Sequence, residues 1–106
     1  MKMMTKEIED RIPPLGFTDG IPAREKIVHV KFFAPVGSWT WYAVEFDPEQ
    51  ELFFGWVDGD VPEWGYFGLA ELKLVKLPFG LGIERDLHFG PTPMGKVKAY
   101  QERGNI

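Results

Sequence analysis

The segment Ser38 to Phe46 (SWTWYAVEF) carries bulky side chains on both faces of any strand it forms. Period-2 alternation sends Trp39, Trp41, Ala43 and Glu45 to one side, and Tyr42, Val44 and Phe46 to the other. A strand apolar on both faces must be covered on both. Its sheet therefore packs helices on both sides, curls into a partial barrel, or leaves an aromatic patch for a partner. Large rings in small domains go mostly to the core, which weights the reading toward coverage.

The neighbouring segments extend this strand into a sheet. Ile27 to Phe33 alternates Val28, Val30 and Phe32 against His29 and Lys31, and Ala34-Pro35-Val36-Gly37 breaks it. The Asp47-Pro48 turn signal leads to a third strand, Glu51 to Val57, across a link short enough for a hairpin. A further strand is expected at Trp64 to Phe67, a brief helix at Leu69 to Val75, a loop at Pro78 to Gly82, and another strand at Ile83 to Phe89. Ahead of the sheet, Thr5 caps a short helix that Pro13-Pro14 stops, and Gly16 to Lys26 reads as a connection. The tail from Met94 to Arg103 has a thin apolar stripe and reads as a marginal helix or a frayed end. Short links make an antiparallel meander the simplest topology. The expected fold class is α+β: a meander sheet of four to five strands with short flanking helices. With 106 residues the chain is one domain (1–106), its core at about 12–93.

Composition closes several routes to function. The chain has no cysteine, which removes disulfides, thiolate nucleophiles and cysteine metal sites. Charged residues follow the first methionines and no apolar run approaches a membrane span, so no membrane is implied and a cytoplasmic location is expected. Net charge is −4, and the acids Glu45, Asp47, Glu49, Glu51, Asp58, Asp60 and Glu63 follow one another with no Lys or Arg between them. That balance argues against duplex nucleic acid, whose binding draws on clustered cations. As a class, such runs usually solvate turns.

Chemical motifs are sparse. Gly80 and Gly82 lack the context of a nucleotide fingerprint, and Ser38, the only serine, has no nucleophile surround. Asp58-Gly59-Asp60 with Glu63 gathers oxygen donors but reads first as a polar turn, so no metal and no cofactor are called for. In Ile83–Phe89, alternation places Glu84, Asp86 and His88 on one face, a possible acid–base set with His29 as a further contributor. The opposite face puts Arg85 among Ile83, Leu87 and Phe89, where a guanidinium needs a carboxylate. Glu45 is the expected partner, as a structural ion pair.

Three ordered motifs, HVKFFAPVGSWTWYAVEFD (His29–Asp47), WGYFGLAEL (Trp64–Leu72) and LPFGLGIERDLHF (Leu77–Phe89), resemble a bacterial family, domain of unknown function 2958, over roughly Ile12 to Pro93. The resemblance implies a small stand-alone protein often carried on plasmids, phages or integrated mobile elements. It transfers no activity, cofactor or catalytic residue. Similar proteins often have a serine where this chain has Gly68.

The leading expectation is a non-catalytic module of a mobile element that binds another protein. Its surface would be aromatic (Trp39, Trp41, Tyr42) or acidic (Asp58, Asp60), the latter in its sharpest form a DNA mimic. One alternative is a small hydrolase or acid–base enzyme using Glu84, Asp86, His88 and His29. Another is a single-stranded nucleic-acid binder stacking bases on Trp39, Trp41 or Tyr42, with Lys31 near the backbone. The oligomeric state stays open.

Overall fold

The computed structural model describes residues 2–104. Helix α1 (Lys6–Arg11) starts where the sequence places it: the Thr5 hydroxyl accepts the Ile8 N–H, and Ile12 leaves the helix extended toward Pro13-Pro14. The strands follow as β1 (Ile27–Val28), β2 (Val30–Phe33), β3 (Thr40–Asp47), β4 (Leu52–Asp58) and β5 (Pro62–Gly68). Helix α2 (Leu69–Leu74), β6 (Glu84–Arg85), β7 (Thr92–Pro93) and α3 (Lys98–Arg103) complete the chain. The main sheet is antiparallel in the order β5-β4-β3-β2-β6, and β1 pairs with β7 in a separate ribbon. Consecutive strands β2 to β5 are direct neighbours, as a meander requires.

The sheet stays open, so the demand for coverage on both faces of β3 is met by flanking segments rather than by a barrel. One face carries Val30, Phe32, Trp41, Ala43, Phe46, Phe53 and Phe67, packed beneath Ile8 and Ile12 of the N-terminal helix region and Leu69 and Leu72 of α2. The Phe53 ring sits 4.5 Å from Phe46 and 5.2 Å from Phe67, centre to centre. The other face carries Tyr42, Val44 and Trp56, which cluster with Val28 of β1 and with Met94, Val97 and Tyr100.

Three sequence expectations change here. The tail adds to the core: Met94, Val97 and Tyr100 are buried, so the core runs past residue 93. The stripe is one residue wide, but Tyr100 meets Trp56 edge-on at 5.1 Å, and one large ring there covers what a wider helix would. The Ile83–Phe89 strand shrinks to Glu84–Arg85, because the Asp86 carboxylate accepts the His88 N–H at 2.9 Å and turns the chain. The first strand divides at His29, with β1 and β2 in different sheets.

The fourth change has the widest effect. Along the β3–β4 ladder Ala43 faces Gly55 and Glu45 faces Phe54, so Val44 is an extra residue, a β-bulge. Alternation resets there. Phe46 crosses to the face of Trp41 and Ala43. Glu45, opposite Phe54, joins the face of Tyr42, Val44 and Trp56, since Phe54 and Trp56 share a side of β4. Arg85 stands opposite Phe32 on the first face.

The expected Arg85–Glu45 pair is therefore not formed, because the bulge puts the two residues on opposite sides of the sheet. The Arg85 Nε donates to the Lys2 carbonyl at 3.0 Å. Glu45 is only 2% exposed and accepts from the Gly16 N–H (2.8 Å), the Thr18 N–H (2.9 Å) and the Thr18 hydroxyl. Lys26 Nζ donates to the Thr18 hydroxyl at 3.1 Å and to the Thr18 carbonyl, so the buried cation reaches the carboxylate through one threonine. This network pins the Gly16–Lys26 connection to the sheet.

Candidate functional site

Two loops meet beside the first face of the sheet. The β2–β3 connection contributes Ala34, Val36 and Trp39, and the α2–β6 connection contributes Val75, Leu77 and Ile83; with Trp41 they line a groove of about 320 Å³. Every lining side chain is apolar. The α2–β6 loop closes on itself, the Leu77 N–H donating to the Leu81 carbonyl at 2.8 Å. At its tip Phe79 takes a left-handed backbone (φ 66°) and is 91% exposed. An aromatic residue in that region is uncommon, and here it leaves a ring in solvent.

Trp39 links the groove to the rest of the sheet. It is 40% exposed, lies 5.8 Å from the Trp41 ring, and rests on the backbone of Gly59, where a Cβ would fall 2.5 Å from the indole. Gly59 is thus the seat on which the indole lies. The other two rings singled out from the sequence are core: Trp41 and Tyr42 are both buried. Burial pushes the Tyr42 phenol up, opposed by its bond with Thr40 and reinforced by Asp58 and Asp86. Lys31 Nζ lies 5.7 Å over the Tyr42 ring and 3.7 Å from Asp86.

The acidic run does not form one surface. Strand β4 is seven residues long, so its two turns lie about 20 Å apart. Asp47, Glu49 and Glu51 go to one end, Asp58 and Asp60 to the other, and Glu45 is inside. Asp58 is bound by Arg103, whose Nε donates at 2.7 Å. Asp60 lines a small polar depression with Ser38, Asp58, Gly59 and Arg103.

Nor do the acid–base candidates converge. Glu84 stands opposite Phe33 on β6, Asp86 is engaged by Lys31 and the His88 N–H, and the His88 side chain is exposed beyond the turn. His29 lines a depression of about 440 Å³ with Arg11, Ile12, Phe17, Thr18 and Ile21, none of them from the Glu84–His88 segment. Its carbonyl accepts from Arg11 Nη2 at 3.0 Å, and its Nδ1 is buried.

Burial first, and Arg11 second, hold the His29 pKa below its ordinary value of 6.5. The folded protein thus favours the neutral ring, and the unfolded chain takes up the proton more readily. The contribution is full above about pH 6.5 and is lost as pH falls from there through the lowered folded value. We expect the urea midpoint to drop between about pH 7.5 and 5.5, and His29→Gln to flatten that slope. Equal slopes in the two proteins would remove His29 as the cause.

The groove residues Val36, Val75 and Leu77 carried no signal of their own in the sequence. Pro78 to Gly82 reads as a plain loop, and only the apolar residues in and beside it (Leu77, Phe79, Leu81) point to a surface. Among the described residues no helix is long and apolar enough to cross a membrane. A family model described as Protein of unknown function (DUF2958) matches residues 18–105. No curated protein and no solved structure matches the chain.

Proposed function

We propose, since the chain belongs to the DUF2958 family of proteins of unknown function and its role must be read from its own surface, that it is a non-catalytic protein-binding module. The occupant we assign to the Trp39 groove is a segment of a partner protein that offers two or three large apolar side chains. The observation that carries this is the lining: five aliphatic residues, two tryptophans and no charged side chain. A small metabolite is usually oriented by a few polar groups, and a nucleic-acid strand draws on cations. The lining supplies no cation and no polar side-chain group beyond the indole N–H, whereas a half-exposed indole beside aliphatic side chains is the composition of an interface anchor. The setting we propose is that of a cytoplasmic accessory protein of a mobile element, on the strength of the resemblance in its three motifs.

Selection of a random peptide library against the wild-type protein, with Trp39→Glu and Val36→Glu as counter-targets, tests this. We expect enriched peptides that share a cluster of large apolar residues and lose about tenfold or more in affinity for both variants. A library that yields no such peptides, or peptides that bind all three proteins alike, overturns the assignment.

A further inference from the structure

Strand β5 is the outermost strand of the main sheet, and among the described residues no strand pairs with its far side. In an antiparallel ladder, successive residues direct both backbone groups alternately toward a neighbour and away from it. The Leu69 N–H donates to the Glu51 carbonyl at 2.9 Å, one step beyond the Leu52–Gly68 pair, and this fixes the parity of β5. Glu63, Gly65 and Phe67 bond inward to β4. Pro62, Trp64, Tyr66 and Gly68 direct their backbone groups outward.

The two ends of that outward row are closed to donation. Pro62 has no N–H, and the outward side of an edge is where a sheet tolerates proline. The Gly68 N–H already donates to Glu71 Oε1 at 2.8 Å, closing the start of α2. Between them lie the N–H and C=O of Trp64 and of Tyr66, placed symmetrically about Gly65.

We infer that this edge pairs with the same edge of a second copy, antiparallel about a two-fold axis at Gly65. An isologous contact requires that if one residue meets another, the second meets the first. The Gly65 register meets this condition: Trp64 of each copy faces Tyr66 of the other, and each pair exchanges both backbone bonds. All the free central groups are then used. A longer strand from an unrelated protein would find no further donor on either side, so the edge matches its own length.

The side chains agree with the register. Phe54 stacks against Trp64 at 5.7 Å and meets Tyr66 at a tilt at 5.1 Å, yet Tyr66 is 65% exposed, so the row of rings ends abruptly at the sheet edge. Pairing sets Tyr66 beside Trp64 of the second copy and carries the row through the axis. Gly65, directly opposite its own counterpart, presents no side chain, and a Cβ there would meet nothing within 4 Å. The one charged residue of β5, Glu63, opposes Phe67 of the second copy, so no like charges face each other. Apart from Pro62 and Glu63 at its start, the edge carries no guard against pairing: it has no lysine and no bulge.

Sedimentation velocity combined with amide hydrogen exchange decides the matter. We expect a mass of two chains at high micromolar concentration and of one chain on dilution. The Trp64 and Tyr66 amides should gain protection with concentration, while Gly65 and Phe67 stay protected throughout. Tyr66→Lys, which guards the edge with charge, should stay monomeric with an unchanged far-UV spectrum. A wild-type monomer at high concentration overturns the inference. So do Trp64 and Tyr66 amides that exchange alike at all concentrations, or a dimer that Tyr66→Lys leaves intact.

Discussion

Gly55→Ala is expected to be among the most damaging single-methyl changes in this protein, lowering stability by about 3 kcal/mol or more, at or beyond the top of the range for overpacking. Gly55 faces Ala43 in the last regular pair before the bulge, and a Cβ at this position would lie 1.9 Å from the Tyr42 carbonyl oxygen and 2.9 Å from its carbon. The obstacle is backbone, so no rotamer change relieves it; β3 and β4 must separate at their centre. Both neighbouring cores then suffer, since Trp56 and Phe53 flank this point on opposite faces. Urea unfolding followed by tryptophan fluorescence reads the effect. A loss below about 1 kcal/mol would mean that the strand pair shifts readily and that the tight approach is not a constraint.

The second large effect is expected at Glu45. Glu45→Leu removes the acceptor for the Gly16 and Thr18 N–H groups and the Thr18 hydroxyl, and leaves buried Lys26 with no carboxylate at the end of its chain of bonds. Breaking a buried charged network at one partner costs about 3–5 kcal/mol, because the remaining groups stay desolvated and unmatched. The double variant Glu45→Leu/Lys26→Met should recover part of that loss, since it withdraws the unmatched cation as well. Glu45→Gln keeps an acceptor but adds a donor facing other donors, and should fall between. These midpoints, with protease sensitivity in the Gly16–Ile21 loop, check the ordering. A double variant less stable than Glu45→Leu would show that Lys26 is held independently of the carboxylate.

The expected pair that failed explains what the sequence could and could not convey. The strands β3, β4 and β5, the Thr5 cap and the meander are legible because alternation, capping residues and turn residues are local signals. The bulge at Val44 is one additional residue with no signature of its own. Up to Val44 alternation holds, and beyond it every face assignment reverses, which moved Glu45 away from Arg85 and brought Phe46 to Phe53. The acid run reads as turns, but those turns lie at opposite ends of β4, so a run continuous in sequence makes no single surface. Trp39, read as one of three similar rings, became the exposed one because it precedes β3 and leans on Gly59. The buried tail gives little signal in the sequence because Met94, Val97 and Tyr100 make a weak stripe until Trp56 is set beneath them. The groove was invisible for a different reason: its two sides are over thirty residues apart in the chain, from Val36 to Val75, and only the tertiary fold brings them together.

The β1–β7 ribbon sets the order in which this molecule can be completed. Ile27 pairs with Pro93, and the segment that covers the second face of the sheet lies beyond that pair. On the ribosome, the helical side of the sheet can form as soon as α2 has emerged. The opposite side, with Val28, Tyr42, Val44 and Trp56, stays bare until the residues through Tyr100 are synthesised and free to return. Closing so long a loop is a late and entropically costly step. A nascent chain stalled before residue 94 would thus display an apolar sheet face, a natural target for chaperones and for premature self-association.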